Sequence, residues 1–267
     1  MLNYLNLCVT PITLTSNGMK LSEATGFFYK HSGRIWLVSN WHVYSGRSTH
    51  TGQPRSPTGA TPNGILFGVP KAVDENIGHY VWPELTLPLE NSNGKNLWLQ
   101  HPNGQEIDVA VLEIPNVDGV SECCINDQKD FFLAAKANSG EDVFILGYPL
   151  GIQPLGKFPI WKRASFATFP TAMAFSKPAF LLDWVTREGM SGSPIIFPEK
   201  QIYNMDYGGM RVGNGRYNLS GIYSGRFETI DALGASLAVG WHASTLVEII
   251  THNLSGDHVL KQPNSPI

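Results

Sequence analysis

The sequence predicts an all-β protein in two halves, and three observations predict it. Glycine and proline, 27 and 18 of the 267 residues, interrupt the chain about every ten positions, which is the punctuation of turns. The runs between them are short and rich in Val, Ile, Phe, Tyr and Trp, side chains that suit a pleated, half-buried surface. These runs fall into two groups of about six, and about six strands suit a small closed barrel.

In the first group, strands are expected at 5–14, 26–29, 35–39, 65–69, 97–100 and 107–114. The segment between Gly46 and Gly64 is polar, with almost nothing to bury, and reads as a long surface loop of the kind that is often functional. From Pro115 to Gly140 the pattern weakens, interrupted by Asn116, Asp118, Gly119, Asn126, Asp127 and Asp130. A linker is expected there, giving units at 1–125 and 126–267. The second group has strands expected at 142–146, 159–169, 179–185, 194–197, 217–223 and 236–241, with no sequence repeat between the halves. Thr245-Leu246-Val247-Glu248 fits a capping box, and Leu246, Ile249, Ile250 and Leu254 follow at helical spacing. A single C-terminal helix is therefore expected, with a loose tail from Gly256 to Ile267.

Composition narrows the function classes. With 42% apolar residues the chain can bury sizeable cores. Only 15% of residues are charged and the net charge is −3, so no basic field draws nucleic acid or an anionic membrane surface, and neither is expected as a partner. The first residues carry no secretory signal pattern, and no apolar run is long enough for an ordinary spanning helix. Cys8, Cys123 and Cys124 do not make a disulfide framework, which points to a reducing cytoplasm. No Cys or His pair has metal-ligand spacing, so neither a metal nor a cofactor is expected.

One stretch carries chemistry: Glu188-Gly189-Met190-Ser191-Gly192-Ser193-Pro194, leading into Ile195-Ile196-Phe197. A serine between two glycines sits on backbone that can turn sharply and let another molecule approach. Its hydroxyl is a weak nucleophile until a neighbouring base activates it and a third group orients that base. His42 directly follows the strand Arg34-Ile35-Trp36-Leu37-Val38-Ser39, which would aim its ring at a defined point. Asp108 opens an apolar run, Val109-Ala110-Val111-Leu112, so its carboxylate is expected to be partly buried and to need partners. Taken alone, a histidine such as His42 is more often structural, and Asp108 is equally an exposed acid at a strand start.

Together the motifs carry a resemblance. Trp36-Leu37-Val38-Ser39-Asn40-Trp41-His42-Val43, Asp108-Val109-Ala110-Val111-Leu112, Leu146-Gly147-Tyr148-Pro149-Leu150-Gly151 and Gly189-Met190-Ser191-Gly192-Ser193-Pro194 stand in this order. The set resembles the trypsin-like serine peptidases, and within them the bacterial branch that includes the high-temperature-requirement proteases, here without a PDZ-like domain. The resemblance implies two six-stranded antiparallel β-barrels of chymotrypsin type with a C-terminal helix. It also implies a catalytic triad of His42, Asp108 and Ser191, an oxyanion hole from the backbone N–H groups of Gly189 and Ser191, and a protein or peptide substrate. Val185 would stand at the pocket floor, and Ser220, Gly221, Ile222 and Tyr223 would form a wall that pairs with an extended substrate. An uncharged residue is then expected before the cut bond, or an acidic one if Arg187 and Arg226 face it.

Two departures matter. Met190 stands where the digestive branch has an acid that pairs with a newly cut N-terminus, so activation by trimming is not expected. Ser193 replaces a usual glycine. An α/β hydrolase is disfavoured, because Ser193 breaks its Gly-x-Ser-x-Gly pattern and interleaved helices are missing. The other reading is a trypsin-like fold with a collapsed oxyanion hole, kept as a protein- or peptide-binding module.

Overall fold

The computed structural model describes residues 4–74, 79–115, 117–128, 131, 137–185, 187–198, 216–226 and 237–257. After a 3₁₀ turn at Tyr4–Leu7, the first half carries β1 (Val9–Ser16), β2 (Met19–His31), β3 (Arg34–Ser39), the short helix α1 (Trp41–Ser45), β4 (Gly64–Gly68), β5 (Lys71–Asp74), β6 (His79–Val81), β7 (Glu84–Pro88), β8 (Trp98–Gln100) and β9 (Ala110–Ile114). The second half carries β10 (Asp142–Gly147), β11 (Ile160–Phe166), β12 (Ala179–Asp183), β13 (Pro194–Pro198), β14 (Tyr217–Arg226), β15 (Leu237–His242), the helix α2 (Ser244–His252) and β16 (Leu254–Ser255).

The second-half strands close into a six-stranded antiparallel barrel in the order β10-β11-β12-β15-β14-β13. The first half forms an antiparallel sheet in the order β16-β8-β9-β3-β2-β1-β4-β7, with β5 and β6 as a separate hairpin. Its strands between Lys71 and Pro88 escape the sequence reading because they alternate exposed with half-buried positions, and Lys71, Asp74, His79 and Glu84 dilute the apolar signal.

Strand periodicity explains why β3 reads as one continuous apolar run. Successive side chains point to opposite faces. Ile35 and Leu37 face the core inside the first sheet, while Trp36 and Val38 join a second core shared with Leu146, Tyr148, Ile222 and Trp241 of the other barrel. Both faces are buried, so both sets are apolar. A third core, with Val143, Phe180, Leu182, Met190, Ile195 and Tyr223, fills the second barrel.

The C-terminal segment ties the halves together. Leu246 and Ile249 of α2 pack into the shared core. Beyond the helix the chain returns to the first sheet, where Leu254 pairs with Gln100 and the Gly256 N–H donates to the Trp98 carbonyl at 2.8 Å. Gly256, where a loose tail is expected to begin, is instead buried against the Trp98 ring. Residues 258–267 lie outside the described residues.

The expected capping box does not form. Thr245 lies inside the helix with its hydroxyl donating to the His242 carbonyl at 2.7 Å, and Glu248 reaches across to His101 Nε2 at 2.9 Å. Tertiary partners take both side chains. The expected linker is also packed where it is described, since Val120, Cys123, Cys124 and Ile125 are buried. All three cysteines are free and buried, and burial first of all pushes the Cys123 and Cys124 thiols up to about 12, which leaves them unreactive at neutral pH. Among the described residues no helix is long and apolar enough to cross a membrane, and no group of three or more side chains is arranged to hold a metal ion.

Candidate active site

His42 is carried by α1, the short helix that follows β3, rather than by the strand end. The helix is short because Gly46, in the left-handed region at φ 65°, stops it. All five of its residues are buried. Tyr44 stacks on Trp98 with centroids 5.9 Å apart and donates its hydroxyl to the Leu37 carbonyl at 2.8 Å. Trp41 meets the same ring edge-on at 6.4 Å and donates Nε1–H to Gln100 Oε1 at 2.9 Å. Packing on both sides fixes the direction in which the histidine leaves the helix.

Asp108 lies two residues before β9, which pairs with β3, and is only 4% exposed. A carboxylate so buried is costly unless its lone pairs are filled. They are filled: Oδ1 accepts the His42 backbone N–H at 2.9 Å, and Oδ2 lies 2.6 Å from His42 Nδ1 and accepts the Ser224 hydroxyl at 2.5 Å. The Asn40 side chain donates to the Asp108 carbonyl at 2.7 Å. An ionised carboxylate only accepts, so the ring proton belongs on Nδ1 and the Nε2 lone pair is left unprotonated.

Ser191 comes from the loop between β12 and β13. Gly189 and Gly192 both have positive φ, 84° and 85°. Added Cβ atoms would come within 2.3 Å of the Tyr148 carbonyl at Gly189, and within 2.2 Å of both Ser39 Oγ and the Thr25 carbonyl at Gly192. The two glycines that frame the serine are thus required by conformation and by contact. The Glu188 carbonyl accepts the Leu150 N–H at 2.8 Å. In a planar trans peptide the N–H points opposite to the C=O, so the Gly189 N–H is turned to the other side.

The Ser191 hydroxyl donates to the Ser224 carbonyl at 3.3 Å, and no direct hydrogen bond joins it to His42. Both residues line one cleft of about 520 Å³, together with Gly189, Glu188 and Leu150 from the second barrel and Leu21 from the first. The polar loop after α1 closes the side near His42 with Arg55, Pro57 and Pro62. Its composition had marked it as surface. What it does there is wall the cleft.

Sequence reasoning missed the role of Ser224, the third donor to Asp108, because nothing local in the strand 217–226 sets this serine apart. The expected wall at Ser220, Gly221, Ile222 and Tyr223 is corrected by this strand: Gly221 to Tyr223 are buried and their backbone is engaged on both sides, by Pro194, Ile195 and Ser193 on one and by β15 on the other. A substrate strand has no place there. Among the described residues the ladder from Ser224 onward runs to β15 only, which leaves Ser224, Gly225 and Arg226 as the open edge. Val185 is 54% exposed, so it is no buried floor, and Arg187 and Arg226 are exposed as well.

A closed six-stranded antiparallel barrel and a second β half, with His42 and Ser191 lining one cleft, give the chain a chymotrypsin-type fold. The chain is similar to the Rv3671c protease from M. tuberculosis in its active form, with 17% identity and a TM-score of 0.50 over 96% of this chain and 84% of that one. It is also similar to an HtrA-type protease solved with a tripeptide, at 14% identity and a TM-score of 0.49 over 94% of this chain, and spans 63% of that protein's length. A thermostable serine protease from an extremophilic microorganism has 11% identity and a TM-score of 0.49, with 94% of this chain and 98% of that one covered. No family model and no curated protein matches the sequence.

Proposed function

We propose that the protein is a serine endopeptidase that hydrolyses peptide bonds through an acyl-enzyme on Ser191. The observation that carries this reading is the buried pair of His42 and Asp108. Three hydrogen-bond donors on the carboxylate hold one tautomer of the ring, and that ring lines the same cleft as Ser191. A histidine kept only for packing has no need of that arrangement.

In this reading the Ser191 hydroxyl leaves the Ser224 carbonyl by rotation about one side-chain torsion, gives its proton to His42 Nε2 and attacks the substrate carbonyl. Hydrogen bonds between nucleophile and base are commonly loose before substrate arrives, and tighten in the complex. Asp108 steadies the imidazolium that forms. The Gly189 and Ser191 N–H groups then meet the oxyanion, a contribution of about 10²- to 10³-fold per donor. His42 returns the proton to the leaving amine, and a water molecule repeats the cycle to release the acyl group. An extended protein or peptide substrate pairs along the open edge at Ser224 to Arg226.

Reaction with a biotinylated fluorophosphonate, read by mass spectrometry, tests the proposal. Labelling at Ser191 that disappears in Ser191→Ala and in His42→Ala is the expected result. A folded chain that gives no adduct and cleaves no member of a diverse peptide library overturns it.

A further inference from the structure

We propose that Thr25, from the first-half sheet, is a positioning residue for the oxyanion hole of the second-half barrel: its hydroxyl holds the Gly189 carbonyl and so sets the aim of the backbone donors beside Ser191. The inference rests on the peptidase reading and names a residue which that reading does not contain.

Thr25 lies on β2 and is fully buried. Every polar atom it has is engaged. Its N–H donates to the Ser191 carbonyl at 2.9 Å, and its carbonyl accepts the Ser39 hydroxyl at 2.9 Å. Its hydroxyl accepts the Tyr148 N–H at 3.1 Å and donates to the Gly189 carbonyl at 2.8 Å. Because the Tyr148 N–H can only donate, the hydroxyl proton is committed to Gly189. A β-branched side chain has little freedom about its first torsion, so the committed hydroxyl is also held in direction.

The nucleophile loop has reason to need this. Gly189 sits at φ 84°, and a glycine backbone rotates at little intrinsic cost. The local chain alone therefore does not fix where its peptide groups point. Two anchors from outside the loop do so, the Leu150 N–H on the Glu188 carbonyl and the Thr25 hydroxyl on the Gly189 carbonyl, with the Met190 N–H on the Arg187 carbonyl at 3.4 Å inside it. The same hydroxyl also ties down Tyr148, two residues before Leu150, so both anchors depend on it. Gly147 leaves the room, since a Cβ there would stand 2.8 Å from Thr25 Oγ1. The hole is thereby set by the docking of the first-half sheet on the second-half barrel. Ordering by packing across the barrel interface takes the place of the charged N-terminus that Met190 cannot receive.

Thr25→Val keeps the shape and removes only the hydroxyl, leaving a buried acceptor and a buried donor unpaired. Thr25→Ser keeps the hydroxyl. The test compares the two with the wild-type chain in fluorophosphonate labelling rate, in kcat and KM for a cleaved peptide, in Tm, and in hydrogen exchange of the peptide that spans Gly189. Thr25→Val is expected to lower kcat and the labelling rate about 10²-fold with KM little changed, and to speed exchange at the nucleophile loop. Thr25→Ser is expected to recover most of each. A folded Thr25→Val chain that labels at the wild-type rate overturns the proposal, as does a fall in Tm with unchanged loop exchange. If the wild-type chain itself never labels, the peptidase reading fails instead, and loop exchange alone then decides whether Thr25 orders that loop.

Discussion

Asp108 is joined to His42 twice, through Oδ1 to its backbone N–H at 2.9 Å and through Oδ2 to its ring Nδ1 at 2.6 Å. One bond places the residue and the other sets the tautomer. Replacing Asp108 by Asn separates the two roles. An amide NH₂ facing Nδ1 drives the ring proton to Nε2, where it blocks acceptance from Ser191. Asp108→Asn is therefore expected to lower kcat by about 10⁴-fold while KM changes little. Near-normal turnover would show that another acid orients the ring.

The Ser224 hydroxyl makes the remaining side-chain bond to this carboxylate. A hydrogen bond to a charged group contributes about 1.5–3 kcal/mol. Ser224→Ala leaves Asp108 with two donors instead of three, both from His42. A ten- to hundred-fold loss in kcat/KM is expected if the whole of that contribution, about 1.5–3 kcal/mol, falls on the transition state. Ser224→Thr, which retains the hydroxyl, separates loss of the bond from loss of the backbone edge that binds substrate. Equal defects in both variants would place the role of Ser224 in that edge.

Most strand positions, and the residues that line the cleft or support His42 there, were legible because each obeys a local rule. The apolar runs at 35–39 and 194–197 announce strands, and a serine between Gly189 and Gly192 announces a backbone that other atoms approach, as the contacts at Gly192 bear out. What stayed hidden depends on partners far away in the chain. Thr25 lies 164 residues from Gly189, and Ser224 lies 116 from Asp108. Neither carries a local signal, since a threonine in a strand is ordinary and a serine near a strand end more so. The capping box misled for the same reason, because Glu248 is claimed by His101 from the other half.

His242 gives the second barrel a pH dependence. Its ring stacks on Phe180, 5.7 Å between centroids. Burial lowers its pKa below the usual histidine range, against the opposing pull of the Ala172 and Ala179 carbonyls and of Glu248. The unfolded chain then takes up this proton at higher pH than the folded one. Stability from the neutral ring is present above about pH 6.5 and is lost as pH falls through the window below it. His242→Phe keeps an aromatic ring on Phe180 and removes the titration. Urea midpoints measured at about pH 7.5 and about pH 5.5 are expected to fall less in His242→Phe than in the wild-type chain. Equal falls would assign the acid sensitivity to other groups.

The segment before β2 is part of the fold, and this decides how the site becomes ordered. β1 is paired on both sides, with β2 and with β4. Asn6 accepts the Trp161 Nε1–H at 2.6 Å, and the Tyr148 hydroxyl lies between the Val9 carbonyl at 3.0 Å and the Lys157 carbonyl at 2.6 Å, so the segment also fastens the second barrel. Val9, Ile12 and Leu14 are almost fully buried. At about 1.5–3 kcal/mol for each side chain, removing these three costs about 5–9 kcal/mol, comparable to the whole stability of an ordinary domain. Met190 is fully buried in the core of the second barrel. An inserted α-ammonium would find an apolar side chain there and pay several kcal/mol in desolvation. A chain that retains Tyr4 to Ser16 is therefore expected to label with fluorophosphonate without prior cleavage, and a chain shortened to begin at Asn17 is expected neither to fold nor to label. Intact-mass analysis of the labelled species checks this directly. Label found only on molecules that have lost β1 would mean that trimming, after all, orders the site.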